Sequence, residues 1–213
     1  MKRFYLGLFV TGLVLTGAGC SVMNNEVDET KDSAVTDSEG EKEITYKFND
    51  AEKEEVMENW TFQGVLDESE IINKKVKITT NKGDIVFELF SETAPNTVSN
   101  FVYLTNGGYY NSLTFHRREE GFVIQGGDPS GNGTGGPGYA FADELDDQYG
   151  YDRGIVAMAN SGPNTNGSQF FIMLGDTPLP KAYSIFGKVL EGMDVVDQIQ
   201  VGDIMSTVLV EDK

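Results

Sequence analysis

The chain is predicted to be mainly β: a closed or sandwiched antiparallel domain carrying two isolated helices and preceded by an acidic tether. All six prolines and twenty of the 25 glycines lie beyond residue 63, so turn-forming residues crowd the C-terminal part of the chain. The apolar runs between those turns are short, as strands are, and helical spacing occurs there only twice. Many short strands with few helices favour a barrel or sandwich over an α/β layer structure.

Taken in order, the chain opens with Lys2 and Arg3 ahead of the apolar run Phe4 to Val14, closed by Thr16-Gly17-Ala18-Gly19-Cys20. The run is too short for a membrane span and has the form of an export signal, residues 1–19. Cys20 is the only cysteine, so no intramolecular disulfide can form even after export. Small residues before a lone cysteine resemble the bacterial lipoprotein processing box, although Gly17 stands where leucine is commonest. Acylation of Cys20, with diacylglycerol and palmitate-type chains, would anchor the mature protein to the extracytoplasmic face of the cell membrane. An ordinary secretory signal with an incidental cysteine is the alternative.

Residues 20–70 form the expected tether. From Ser21 to Glu43 there are eight acids, two lysines and few large apolar residues, too little hydrophobic surface to offset the entropy of ordering. Roughly 50 flexible residues span on the order of 40 Å. A short helix is expected over 51–60, where Val56, Met57 and Trp60 could dock on the folded part. Without residues 1–19 the chain carries 14 basic against 34 acidic residues, a net charge of −20. That balance argues against a nucleic-acid partner and fits solubility beside an anionic membrane.

The folded domain is assigned to 71–213. Val76, Ile78 and Thr80 alternate with Lys77 and Thr79, and Ile85 to Phe90 follows Asn81-Lys82-Gly83-Asp84, a hairpin pattern. Ala94, Val98, Phe101, Val102 and Thr105 then share one helix face, with Pro95 in the first turn and Gly107-Gly108 at the end. The second helix is expected over Met193 to Ile199. GIVAMA (154–159) and QFFIML (169–174) read as strands joined by the turn-rich insert SGPNTNGS.

Gly126 to Gly138 contains seven glycines in thirteen residues and the pattern GxGxxG, but no helix start follows, as a dinucleotide site requires. His116 is the only histidine, which removes a histidine-rich or Cys/His metal site, so none is assigned. There is no GxSxG for a serine hydrolase. The acid pairs Asp143-Glu144 and Asp146-Asp147 read as a solvated loop in so acidic a chain. What remains is Phe115-His116-Arg117 with Gly121 to Asp128. In a regular strand Phe122 and Ile124 face one way, Val123 and Gln125 the other, an alternation that a twist or bulge near the glycines would alter. From spacing alone, Arg117 either serves a site beside exposed apolar groups or pairs with a nearby acid over an ordinary core.

FHRREEGFVIQGGDPSGNGTGG, GIVAMANSGPNTNGSQFFIML and YSIFGKVLEGMDVVDQI, in this order and spacing, resemble the cyclophilin family of peptidyl-prolyl cis-trans isomerases, over about Lys74 to Val210. The resemblance implies a closed eight-stranded antiparallel β-barrel capped by two α-helices, with the site on the outside of the barrel. It places the catalytic arginine at Arg117 and substrate contacts at His116, Phe122, Val123, Gln125, Ala159, Asn160, Ser161, Gln169, Phe171, Leu179 and Tyr183. The family's tryptophan position carries Pro178 and its second site histidine Tyr183, departures that bear on cyclosporin binding. Implied too are a rotamase needing no cofactor, acting in protein folding on proline-containing segments of exported or unfolded polypeptides, and expected here to be a monomer. A proline-binding module or chaperone without turnover is the alternative; a surface adhesin or solute-binding lipoprotein would need a cleft or repeats that the sequence lacks.

Overall fold

The computed structural model describes residues 60–145 and 148–213. The export signal (1–19), Cys20, the tether as far as residue 59 and all of the expected 51–60 helix except Trp60 lie outside the described residues. So do Asp146 and Asp147.

Within them the elements are α1 (Glu68–Ile71), β1 (Lys74–Thr80), β2 (Gly83–Leu89), α2 (Pro95–Asn106), β3 (Arg117–Glu119), β4 (Val123–Gly126), β5 (Ile155–Met158), β6 (Phe170–Met173), β7 (Ile185–Glu191), α3 (Met193–Gln198) and β8 (Met205–Asp212). The eight strands form one antiparallel sheet in the order β3-β4-β6-β5-β7-β2-β1-β8. β1 and β2 make the expected hairpin. Thr80 pairs with Gly83, leaving Asn81-Lys82 as a two-residue turn that Thr80 Oγ1 braces.

The sheet curls into a half-barrel, and the continuous closed ladder of the expectation is not present. Its two ends meet through one bridge, Thr114 to Ile204, flanked by main-chain bonds such as Phe115 N to Asp203 O (2.9 Å) and Met205 N to Leu113 O (2.8 Å). The ladder stops there because the segment ahead of β3 meets the turn Gln200 to Asp203 instead of the body of β8, and β3 itself has only three residues.

The helix α2 packs into the main core with the strands. Its face of Ala94, Val98, Phe101, Val102 and Thr105 is buried throughout, as the 3.6-residue period requires. Phe101 sits among Phe87, Tyr110, Phe170 and Phe186, with ring centroids 4.6–5.7 Å away. No side chain of the helix's own N-cap serves its first turn. Glu144 does: one carboxylate oxygen accepts from Asn96 N (3.0 Å), the other from Thr97 N (2.8 Å) and Thr97 Oγ1 (2.7 Å). The solvated loop expected at Asp143-Glu144 is therefore corrected. Unpaired N–H groups at a helix N-terminus attract a carboxylate even from a distant loop, and Asp143 is likewise engaged, by Asn164 N and Asn166 Nδ2.

Packing begins ahead of residue 71, and the docking expected of Trp60 is present. Trp60 meets Tyr103 and Tyr109 edge-on, at 5.3 and 5.5 Å, and Phe62 stacks on Phe141 at 5.0 Å. The indole lies on Gly107, where a Cβ would come within 2.2 Å of it. Only glycine leaves that space. These aromatic contacts bury enough surface to order a segment whose acidic neighbours alone would not.

Candidate active site

β5 and β6 are buried on both faces, which is why their sequences are continuous apolar runs instead of alternating ones. Val156, Met158, Phe170, Ile172 and Phe186 join the main core. Val123, Tyr151, Ile155, Ala157, Phe171, Met173 and Ile185 form a second cluster, against which Phe90, Phe122, Tyr149, Ala159, Leu179 and Tyr183 pack. Register explains the second cluster. Arg117 lies opposite Gln125, Gln125 opposite Phe171, Phe171 opposite Ala157 and Ala157 opposite Ile185. Directly opposed residues share a face, so one row crosses five strands, polar at the β3 edge and apolar beyond it.

Phe122 does not follow the alternation expected of it. Its amide donates to Glu119 O at 3.0 Å, closing a turn through Gly121 (φ 68°) just before β4. The turn resets the parity and turns the ring toward Val123 and away from Ile124, and the Arg117 guanidinium carbon stands 6.0 Å from its centroid. Phe122, Val123, Ala159, Phe171, Leu179 and Tyr183 are thus brought together, with the Tyr183 ring edge-on to Phe171 at 5.5 Å.

The polar end of the row is a hydrogen-bonded series. Arg117 Nη1 donates to Gln125 Oε1 (2.9 Å) and Gln125 Nε2 to Gln169 Oε1 (2.9 Å). Gln169 Nε2 then donates to the carbonyls of Gly133 (3.0 Å) and Gly135 (2.9 Å) in the glycine-rich loop. Carbonyls only accept, so the last link fixes the amide orientation of both glutamines. The loop is held from beneath by Asp128, whose carboxylate accepts from the amides of Ser130, Asn132 and Gly133. Burial pushes the Asp128 carboxyl up, but those amides outweigh it and hold it below the usual carboxylate range. A Cβ at Gly135 would lie 2.1 Å from Asp128 Oδ1.

Other expected site residues are placed differently. The Asn160 side chain bridges the insert and the segment ahead of β7, Oδ1 accepting from Gly162 N (3.2 Å) and Nδ2 donating to Ala182 O (2.8 Å). Ser161 donates its amide to Thr165 Oγ1. His116 binds Gln125 O through its main-chain amide (3.0 Å), and both buried ring nitrogens have no hydrogen-bond partner among the described residues. Burial lowers its pKa, the Arg117 charge lowers it further and Asp128 opposes both. Sequence reasoning missed Tyr151, whose hydroxyl donates to Tyr183 O (2.9 Å), and Met173, opposite Val123. Period-two alternation from Phe171 would have reached Met173.

The chain belongs to the cyclophilin type peptidyl-prolyl cis-trans isomerase family, whose model matches residues 75–212. A peptidyl-prolyl cis-trans isomerase of Helicobacter pylori is 48% identical over 62% of this chain and 83% of its own length. The chicken peptidyl-prolyl cis-trans isomerase-like 3 is 47% identical over 59% and 81%. A crystal structure of a cyclophilin type isomerase of Cryptosporidium parvum superposes with a TM-score of 0.62 at 39% identity, covering 66% of this chain and 98% of that one. The protein is accordingly a peptidyl-prolyl cis-trans isomerase.

Proposed function

We propose that the chain rotates X-Pro bonds of exported polypeptides at the extracytoplasmic face of a membrane, as a monomer anchored through acylated Cys20, and that Arg117 supplies the electrostatic step. The rotation faces about 18–20 kcal/mol because resonance holds the amide planar. A donor aimed at the prolyl nitrogen gains strength as that nitrogen pyramidalises, so it favours the twisted state over the ground state. The observation that carries this reading is the Arg117 guanidinium, held by Gln125 at the rim of the apolar cluster that contains Phe122 and Phe171.

Phe122, Val123, Phe171 and Leu179 would receive the proline ring, while Gln125 and the main chain at Asn160 hold the peptide on one side of the bond. A Cryptosporidium parvum relative was solved in the presence of the dipeptide Ala-Pro, which favours such a ring pocket. In the same reading the main-chain bonds between residues 112–115 and 202–205 close the half-barrel into a barrel and steady the edge strand that carries Arg117. Uncatalysed isomerisation takes tens of seconds or more, a delay worth removing where chains emerge.

Loss of a charge-assisted donor costs about 1.5–3 kcal/mol, so Arg117→Ala is expected to lower kcat/KM on a proline peptide roughly 10- to 100-fold. Arg117→Lys would recover part of that, lacking the planar fork. Arginine does not titrate between about pH 6 and 9, so the rate should be flat there. A folded Arg117→Ala protein with unchanged kcat/KM sinks the mechanism, and a bell-shaped profile hands it to His116. Cys20→Ala should abolish labelling by radioactive palmitate and release the protein from the membrane fraction; retention there without label counts against the anchor.

A further inference from the structure

Strand β3 and the turn after it carry Arg117-Arg118-Glu119-Glu120, and the two-residue period of a strand sorts this tetrad into two ion pairs on opposite faces. Arg118 pairs with Glu120 at 2.8 Å and sends Nη1 to the Ile199 carbonyl at 2.9 Å, which ties β3 to the end of α3. Arg117 pairs with Glu119 on the site face. A single oxygen, Glu119 Oε1, accepts from Arg117 Nε at 3.1 Å and also from Nη2. One whole edge of the guanidinium is thereby occupied. Nη1 gives one hydrogen to Gln125, so the N–H groups left for a substrate are one on each terminal nitrogen.

We propose that Glu119 is a positioning residue: by holding the Nε–Nη2 edge it sets which N–H groups Arg117 turns toward a prolyl nitrogen. The inference rests on Arg117 acting as described above. Glu119 meets the apolar cluster through its main chain, opposite Val123 and accepting the Phe122 amide, whereas its carboxylate is given to Arg117, and the Arg117 and Glu119 side chains are 43% and 51% exposed. A pair so exposed adds little to folding stability, so orientation can be tested apart from the fold. Arg117 alone swings about several side-chain bonds. Gln125 fixes one nitrogen; Glu119 removes the remaining rotation, and a misaimed donor loses effect steeply with small displacements.

The test is a proline-peptide isomerisation assay on the whole chain as wild type, E119A, E119Q, R117A and R117A/E119A, with kcat and KM separated and thermal unfolding recorded beside them. E119A is expected to lower kcat about threefold to tenfold with KM and the melting temperature nearly unchanged. E119Q, which keeps an accepting oxygen without the charge, should fall between E119A and wild type. On the R117A background the E119A change should add nothing. E119A at the wild-type rate, E119A faster than wild type, or an equal loss with and without Arg117 would overturn the role of Glu119 while leaving that of Arg117 intact. R117A at full rate would overturn both.

Discussion

Gln169 is the residue at which the two ends of the site can be separated. It accepts one hydrogen bond from Gln125 and donates two to the Gly133 and Gly135 carbonyls. Gln169→Glu keeps an oxygen for Gln125 but sets a carboxylate against two carbonyls that can only accept. At a net ~1 kcal/mol per hydrogen bond, the lost pair and the facing oxygens are expected to cost about 2–3 kcal/mol of stability. For a domain of this size that lowers Tm by roughly 4–10 °C. Gln125 still finds its partner, so Arg117 keeps its bond and kcat/KM should stay within about threefold of wild type. Gln169→Leu removes all three bonds. It should lose similar stability and, with Gln125 free to turn its amide away from Arg117, a further factor of about ten in kcat/KM. Thermal unfolding and a proline-peptide assay on both variants decide the matter. Equal kcat/KM for Glu and Leu at 169, or a Glu variant as stable as wild type, would refute the fixed polarity of the series.

Gly107→Ala should expel Trp60 by steric contact at 2.2 Å, costing about 1–3 kcal/mol from two edge-on aromatic contacts; because Trp60 is the only tryptophan, its emission should shift to the red, and an unshifted spectrum would show the indole undisplaced. Glu144→Ala strips α2 of its N-terminal acceptor and should cost about 2 kcal/mol in denaturant unfolding, the upper end for a lost cap; a loss below about 0.5 kcal/mol would mean water replaces the carboxylate. The pH dependence of stability has a definite sign. His116 and Asp128 both have folded pKa values below their ordinary 6.5 and 3.8, so the unfolded chain takes up protons first and stability falls with acid, beginning near pH 6.5 and again near 3.8. Burial raises Tyr109 to about 12, against Ser168, from 10.0, so stability is lost as pH rises from 10 through that value. Unfolding free energy measured against pH, with His116→Gln removing only the limb near 6.5, checks all three.

How much could be read in the sequence depended on how local each cause was. The β1–β2 hairpin and the buried face of α2 follow from alternation and helical spacing within a dozen residues, and both are where they were expected. The meeting of Arg117, Gln125 and Phe171 was legible only through the family resemblance, since Phe171 reaches Gln125 through the pairing of β4 with β6, strands that are not neighbours in sequence, and Ala157 was not among the residues it placed there. What was not legible came from two sources. A single turn residue, Gly121, moved Phe122 to the other face. Long-range partners also gave Glu144 a helix to cap and Trp60 a glycine to lie on, and no spacing rule announces a contact across such separations.

The hydrogen bonding of this face bears directly on the proposed mechanism. Rotation about an amide needs one side of the bond fixed and the other free, so under the proposed mechanism the donor must stay aimed while the substrate moves. Here the aim is not left to Arg117. Its Nη1 is held by Gln125, Gln125 by Gln169, and Gln169 by two carbonyls of a loop that Asp128 pins through three amides. The glycine density that resembles a nucleotide loop thus has a different cause. A Cβ at Gly135 would collide with the Asp128 carboxylate, and Gly131, Gly133 and Gly138 have positive φ, so at these positions glycine lets the loop fold down onto that acid and offer its carbonyls to Gln169. A side chain introduced at Gly135 should therefore loosen Arg117 through Gln169 and Gln125, lowering kcat on a proline peptide more than it changes KM, with no substitution of any residue that touches the peptide; an unchanged kcat in folded Gly135→Ala would refute this.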